Sequence, residues 1–180
     1  CTGNGHKNVA VGRNAGKCIT TGCCNNFIGN NSGGTGYITG SSNVAMGQAT
    51  AKNLTSGNRN IYLGFYAGGT GVITGEHNIS IGCRAGEDAT SGSCNIAIGK
   101  GAMHECAVTG NSNIVMGEYA GQRLTSGTSN IIMGECAARC GTLTGNQNIA
   151  IGCRALCHLS SGIGNIALGY STGKCVTSGT

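Results

Sequence analysis

A parallel β-solenoid of ten short coils is the fold this chain predicts, on three observations. Variants of the pentapeptide Asn148-Ile149-Ala150-Ile151-Gly152 occur ten times, at spacings that alternate 17 and 18 residues. Each copy carries aliphatics at period two and ends on Gly, the pattern of a short strand followed by a turn. The composition, with 35 Gly, no Pro and 9% charged residues in 180, suits neither a helical domain nor a disordered chain. Self-similarity of this length marks stacked supersecondary units, each too small to bury an apolar face alone.

The repeat starts mid-pattern at Cys1-Thr2-Gly3, and full units begin at His6, Cys23, Ser41, Asn58, Glu76, Ser93, Asn111, Thr128, Asn146 and Ile163. The whole of 1–180 reads as one repeat domain without capping segments. Within each unit the aliphatics at the second and fourth pentapeptide positions, such as Ile96 and Ile98, are expected to face the core. The middle residue (Ala97, Val115, Ala150) is expected to point outward. The turning Gly is followed three places later by a small residue: Ala15, Ser32, Thr50, Ala67, Ala85, Ala102, Ala120, Ala137, Ala155 or Thr172. That row reads as a second inward position where the section is narrow. A further extended piece, as in Val72-Ile73-Thr74-Gly75, completes the unit.

The first pentapeptide residue is always Asn: Asn8, Asn25, Asn43, Asn60, Asn78, Asn95, Asn113, Asn130, Asn148 and Asn165. Stacked amides can hydrogen-bond along a ladder, and Asn tolerates the αL conformation. The alternation of 17 and 18 leaves two geometries open, one unit per coil or one 35-residue coil built of two units. A helical alternative is excluded by the Gly density, at a cost of roughly 1 kcal/mol per interior Gly.

Asn-Ile-Ala-Ile-Gly followed by x-x-Ala-Gly and Leu-Thr-Ser-Gly resembles the Asn-Thr-Ala-Ile-Gly repeats of phage, bacterial and giant-virus fibre proteins. It is more remotely similar to the head repeats of trimeric autotransporter adhesins. The resemblance covers essentially the whole chain and implies an extracellular fibre or adhesive stalk on a parallel β-roll, often trimeric.

Twelve Cys point to an oxidising, extracellular setting. Cys136, Cys140, Cys153 and Cys157 have a spacing that a tetrathiolate zinc site could use. Stacking offers disulfides instead, because Cys136 to Cys153, Cys140 to Cys157 and Cys1 to Cys18 are each 17 residues apart and Cys157 to Cys175 is 18. The expectation is therefore disulfides and no metal. Asn30, Asn53 and Asn78 head Asn-x-Ser/Thr sequons, acceptors for glycans in a eukaryotic-type secretory route.

No catalytic set emerges. The four His occupy different places in the unit and read as surface residues, one Asp rules out a calcium ligand in every repeat, and no cofactor motif is present. Eleven basic residues without a run or stripe point away from nucleic acid. No apolar stretch is long enough for a membrane helix.

The reading that follows is an extracellular, non-enzymatic structural fibre protein whose partner is itself. Copies are expected to stack end to end, with lateral or trimeric contact through the middle pentapeptide residue. Two alternatives stand beside it. The Thr/Ser row before each closing Gly could bind ice, and the aromatics Tyr62, Phe65 and Tyr66 could form a carbohydrate platform on an adhesin stalk.

Overall fold

The computed structural model describes residues 5–179. It contains ten three-residue strands: β1 Val9–Val11, β2 Asn26–Ile28, β3 Val44–Met46, β4 Ile61–Leu63, β5 Ile79–Ile81, β6 Ile96–Ile98, β7 Ile114–Met116, β8 Ile131–Met133, β9 Ile149–Ile151 and β10 Ile166–Leu168. They form one parallel sheet in sequence order, and each pentapeptide lies in register on the next, as in Ala97↔Val115 and Val115↔Ile132. The chain is a β-solenoid in which each 17- or 18-residue unit is one coil. The longer period survives only as a doublet. Isolated bridges join Ile19 to Ile38, Leu54 to Ile73, Ala89 to Val108 and Leu124 to Leu143, once in every two coils.

The expected orientation of the strands is reversed. The middle residue faces inward: Phe27, Ala45, Tyr62 and Val115 are fully buried, and Ile132, Ala150 and Ala97 nearly so. The flanking aliphatics face out, half-buried in the central coils and exposed at Val9, Val11, Ile28, Met46, Ile61, Ile151, Ile166 and Leu168. The reason is parity. The ladder Asn and the middle residue are two apart and so share a face, and the amide is buried because it closes the coil with hydrogen bonds. Once Asn points in, the aliphatics on either side of the middle residue must point out.

The interior is filled by four rows instead of by aliphatic pairs. These are the middle residue, the small-residue row of Ala67, Ala85, Ala102, Ala120, Ala137 and Ala155, the residue after it, and the aliphatic of the second extended piece (Leu54, Ile73, Leu124, Leu143, Leu159). The small-residue row is inward, as its spacing predicts. In six of the ten coils the middle residue and the residue after the small row compensate in volume, whereas Ala10 with Gly16, Ala45 with Ala51, Ser80 with Gly86 and Ala167 with Gly173 are small at both places. Phe27 and Tyr62 face Gly33 and Gly68, Val115 faces Gly121, Ile132 faces Ala138, and the small Ala97 and Ala150 face Met103 and Leu156. A Cβ on Gly68 would sit 2.6 Å from the Tyr62 ring. Met103 and Leu156 adopt positive φ, 53° and 48°, at roughly 1–2 kcal/mol each, which about 1.5–3 kcal/mol of apolar burial offsets.

Other positive-φ residues lie immediately before the ladder Asn (Lys7, Cys24, Ser42, Arg59) and two places after the turning Gly (Asn14, Asn31, Tyr66, Tyr119), so the ladder Asn itself is not the αL residue. The turning Gly is required by contact as well as by φ. At Gly99, with φ 127°, a Cβ would meet the Gly117 carbonyl oxygen at 2.6 Å, so neighbouring coils approach there more closely than any side chain permits. The core divides at the fifth coil, where the buried middle residue is Ser80; one apolar cluster ends at Ile73 and the next begins at Ala85.

Burial of Tyr62 leaves its hydroxyl without a hydrogen-bond partner and pushes the phenol well above its ordinary pKa. Tyr62→Phe, which restores the residue type found at Phe27, is expected to stabilise the protein by about 1 kcal/mol. Gly68→Ala is expected to cost roughly 1–3 kcal/mol through overpacking. Urea midpoints followed by circular dichroism read both, and a Tyr62→Phe variant that is less stable than the parent would contradict the burial.

Candidate functional site

The ladder Asn makes the same bonds in coil after coil. Its Oδ1 accepts from the backbone N–H of the next coil's Asn, at 2.9 Å for Asn25 on Asn8 and 3.0 Å for Asn130 on Asn113. Its Nδ2 donates to the closing Gly carbonyl of its own coil, at 2.9 Å from Asn8 to Gly22, 2.8 Å from Asn113 to Gly127 and 2.7 Å from Asn148 to Gly162. One side chain therefore closes its coil and holds the next in register.

That geometry corrects one glycan expectation. Asn78 is buried, donates to Gly92 at 2.8 Å and accepts from the Asn95 backbone at 2.9 Å, so its amide is enclosed in the folded rod. Asn53 is half-buried and donates to the Thr70 carbonyl at 2.7 Å, whereas Asn30 is exposed.

The cysteines do not stack as counting suggests, because local register alternates. Asn130 lies under Asn148, 18 residues on, and continuing the Met133↔Ile151 pairing sets Cys136 beside Arg154 and Cys153 beside Glu135. Cys136 is buried, with its sulfur 3.4 Å from Arg139 Nη1. The Cys136–Cys153 pairing is thus displaced by one residue. Cys157 to Cys175 fails for the converse reason. The register there is 17, and the His158 N–H bonds the Lys174 carbonyl at 3.2 Å.

Cys140 and Cys157 are offset by one residue as well, since Cys157 falls in the column of Arg139, but their thiols come within hydrogen-bonding reach of one another. The Cys140 N–H bonds the Cys157 carbonyl at 2.6 Å, and burial, together with a hydrogen bond to the Cys157 thiol, raises the Cys140 pKa. All eleven described cysteines carry free thiols, and Cys1 lies outside the described residues. Cys18 contacts the Gly34 carbonyl at 3.8 Å. No three His, Cys, Asp or Glu among the described residues gather closely enough to hold a metal ion.

The Thr row is not one surface ladder. In the 17-residue coils Thr20, Thr55, Thr90 and Thr125 are half-buried and donate to the carbonyls of Ile38, Ile73, Val108 and Leu143 at 3.0 to 3.2 Å. Thr39, Thr74, Thr109 and Thr144 in the 18-residue coils are exposed. The aromatic group is reduced as well. Tyr62 is in the core, leaving Phe65 and Tyr66 edge-on at 4.7 Å.

One contact that residue spacing concealed joins His104 to Glu87, with Nε2 2.9 Å from Oε2 across one coil and Glu87 buried. His104 is therefore no simple surface residue, and the 17-residue separation was the available signal. Among the described residues no hydroxyl or thiol hydrogen-bonds to either group. Further along, Gln122 bridges Glu105, at 2.9 Å, and Arg139 Nε, at 2.7 Å, and Arg139 lies 4.8 Å from the Tyr119 ring centroid.

The largest continuous feature is the outer face of the sheet. Two columns run its length, one of Val9, Asn26, Val44, Ile61, Ile79, Ile96, Ile114, Ile131, Ile149 and Ile166, the other of Val11, Ile28, Met46, Leu63, Ile81, Ile98, Met116, Met133, Ile151 and Leu168. Only Asn26 is polar. No helix among the described residues is long and apolar enough to cross a membrane. No family model, curated protein or solved structure matches the chain at a significant level.

Under oxidising conditions the thiol geometry predicts a Cys140–Cys157 disulfide and no Cys136–Cys153 disulfide. Non-reducing peptide mapping reads this, and recovery of the Cys136–Cys153 peptide would show that the register is misplaced.

Proposed function

We propose that this chain is a non-enzymatic structural segment of an extracellular fibre, in which rods of identical coils associate through the outer sheet face. The observation that carries the reading is the pair of aliphatic columns just described. Lateral contact through the middle residue, the expectation from periodicity, gives way to contact through its neighbours.

The size of the face sets the mode of association. Ten strands about 4.8 Å apart and three residues of about 3.3 Å make a face of roughly 400 Å², comparable with the largest apolar patches on monomers, about 300–600 Å². It is about half the 800 Å² per partner of a stable complex. Two rods of this length would associate weakly, and strength would grow with the number of stacked coils. End-to-end stacking supplies that number. Coils of one cross-section can follow one another in register across copies, and open head-to-tail contact gives a filament. The extracellular assignment rests on twelve cysteines in a chain of few other reactive groups.

Sedimentation and negative-stain microscopy test the reading. The parent protein is expected to show concentration-dependent association into rods wider than one chain. Replacing Ile79, Ile96 and Ile114 together with Lys should disperse it while leaving the circular dichroism spectrum unchanged, since these side chains point outward. Single-width rods from the parent at every concentration would refute lateral association.

A further inference from the structure

Between Cys136 and Thr180 the sequence has no Asp or Glu, yet it holds Arg139, Arg154 and Lys174. These three cations and His158 line a surface recess of about 270 Å³ together with Cys136, Cys140 and Cys157. The stacking explains the recess. Arg139, Cys157 and Lys174 occupy the same place in consecutive coils, so two long cationic side chains stand one coil to either side of a small thiol. At about 4.8 Å per coil, their backbones are roughly 9.6 Å apart. Arg154 enters from the column beside them, next to Cys136.

No ion pair neutralises this recess, although the Glu105 charge, bridged through Gln122, is felt at Arg139. Two bases outside the recess are paired with acids, Lys100 with Glu118 at 3.0 Å and Arg84 with Glu87 at 3.7 Å. Among the described residues no carboxylate lies within ion-pair distance of Arg139, Arg154 or Lys174. Arg139 is held by Gln122 and by the Cys136 sulfur, which fix its guanidinium without neutralising it. The Cys140 thiol is raised by burial and by Cys157, so it stays protonated and supplies no counter-charge. His158 Nδ1 faces the Lys174 carbonyl at 2.8 Å. A carbonyl only accepts, so Nδ1 carries the proton and the ring is oriented.

We propose that the recess binds a tetrahedral oxyanion group, a phosphate or a sulfate, clamped by Arg139, Arg154 and Lys174. Guanidinium forks suit such oxygens, and charge-assisted bonds in a partly enclosed site are the stronger ones. The recess has room beyond a bare ion, so the group can be free or the ester of a larger molecule such as a sugar. The site stands whether or not the rods associate.

The test is titration of the full-length chain, followed by amide chemical shifts, with sodium phosphate, sodium sulfate and glucose 6-phosphate, each against sodium chloride at equal ionic strength. Saturable shifts clustered in the last three coils are expected, and a tighter midpoint for the sugar ester than for inorganic phosphate would identify an ester as the source. Arg154→Gln with Lys174→Gln should weaken binding roughly ten-fold or more, since each lost bond to a charged group is worth about 1.5–3 kcal/mol. Lys52→Gln with Arg59→Gln removes the same charge far away and should leave binding unchanged. Shifts no different from chloride, or equal loss in both double variants, would overturn the site.

Discussion

The buried Asn ladder is the interaction on which the rest depends. A backbone N–H and a carbonyl are left inside each coil where the chain reverses. Unpaired, each would cost about 1–3 kcal/mol. One Asn side chain satisfies both, as Asn113 does for the Asn130 N–H at 3.0 Å and the Gly127 carbonyl at 2.8 Å. No other short side chain offers an acceptor and a donor in that fork; Asp lacks the donor, and Ser cannot reach both. The ladder therefore fixes the coil length to within the one residue by which units differ, and it fixes which pentapeptide residues face in.

From that constraint the cross-section follows. With an amide and a row of Ala, Ser or Thr inside, the interior has room for one medium side chain on either side of the αL corner. In six of the ten coils volumes trade between the two places, from Tyr62 with Gly68 at one extreme to Ala150 with Leu156 at the other. The aliphatics displaced to the outside make a flat, regular surface that a lone rod leaves half-exposed. Fold and proposed function are linked there, because the chemistry that closes each coil also places a sticky face on its exterior.

The repeat, its period and the solenoid were legible in the chain, since Asn, Gly and Ala recur at fixed places. Strand polarity was not. A pattern of aliphatic, small, aliphatic reads as a buried pair of Ile around an outward Ala, and only the paired bonds of the Asn amide reveal the opposite. Cys pairing misled because 17-residue separations in sequence cross an 18-residue register between Asn130 and Asn148, which offsets Cys136–Cys153 and Cys140–Cys157 alike by one residue and leaves the thiols of the second pair in reach. The Glu87–His104 contact and the cationic recess were hidden differently. Their residues lie one or two coils apart and share a column only once the register is known.

The most direct measurement is the stability of Asn113→Ala against that of Ser112→Ala, its exposed neighbour, by urea denaturation. If the ladder holds the coils, Asn113→Ala strands a buried N–H and a buried carbonyl and should cost roughly 2–5 kcal/mol, while Ser112→Ala stays within about 0.5 kcal/mol of the parent. Equal, small effects for the two variants would mean that the amide row is ornamental and that packing alone sets the register.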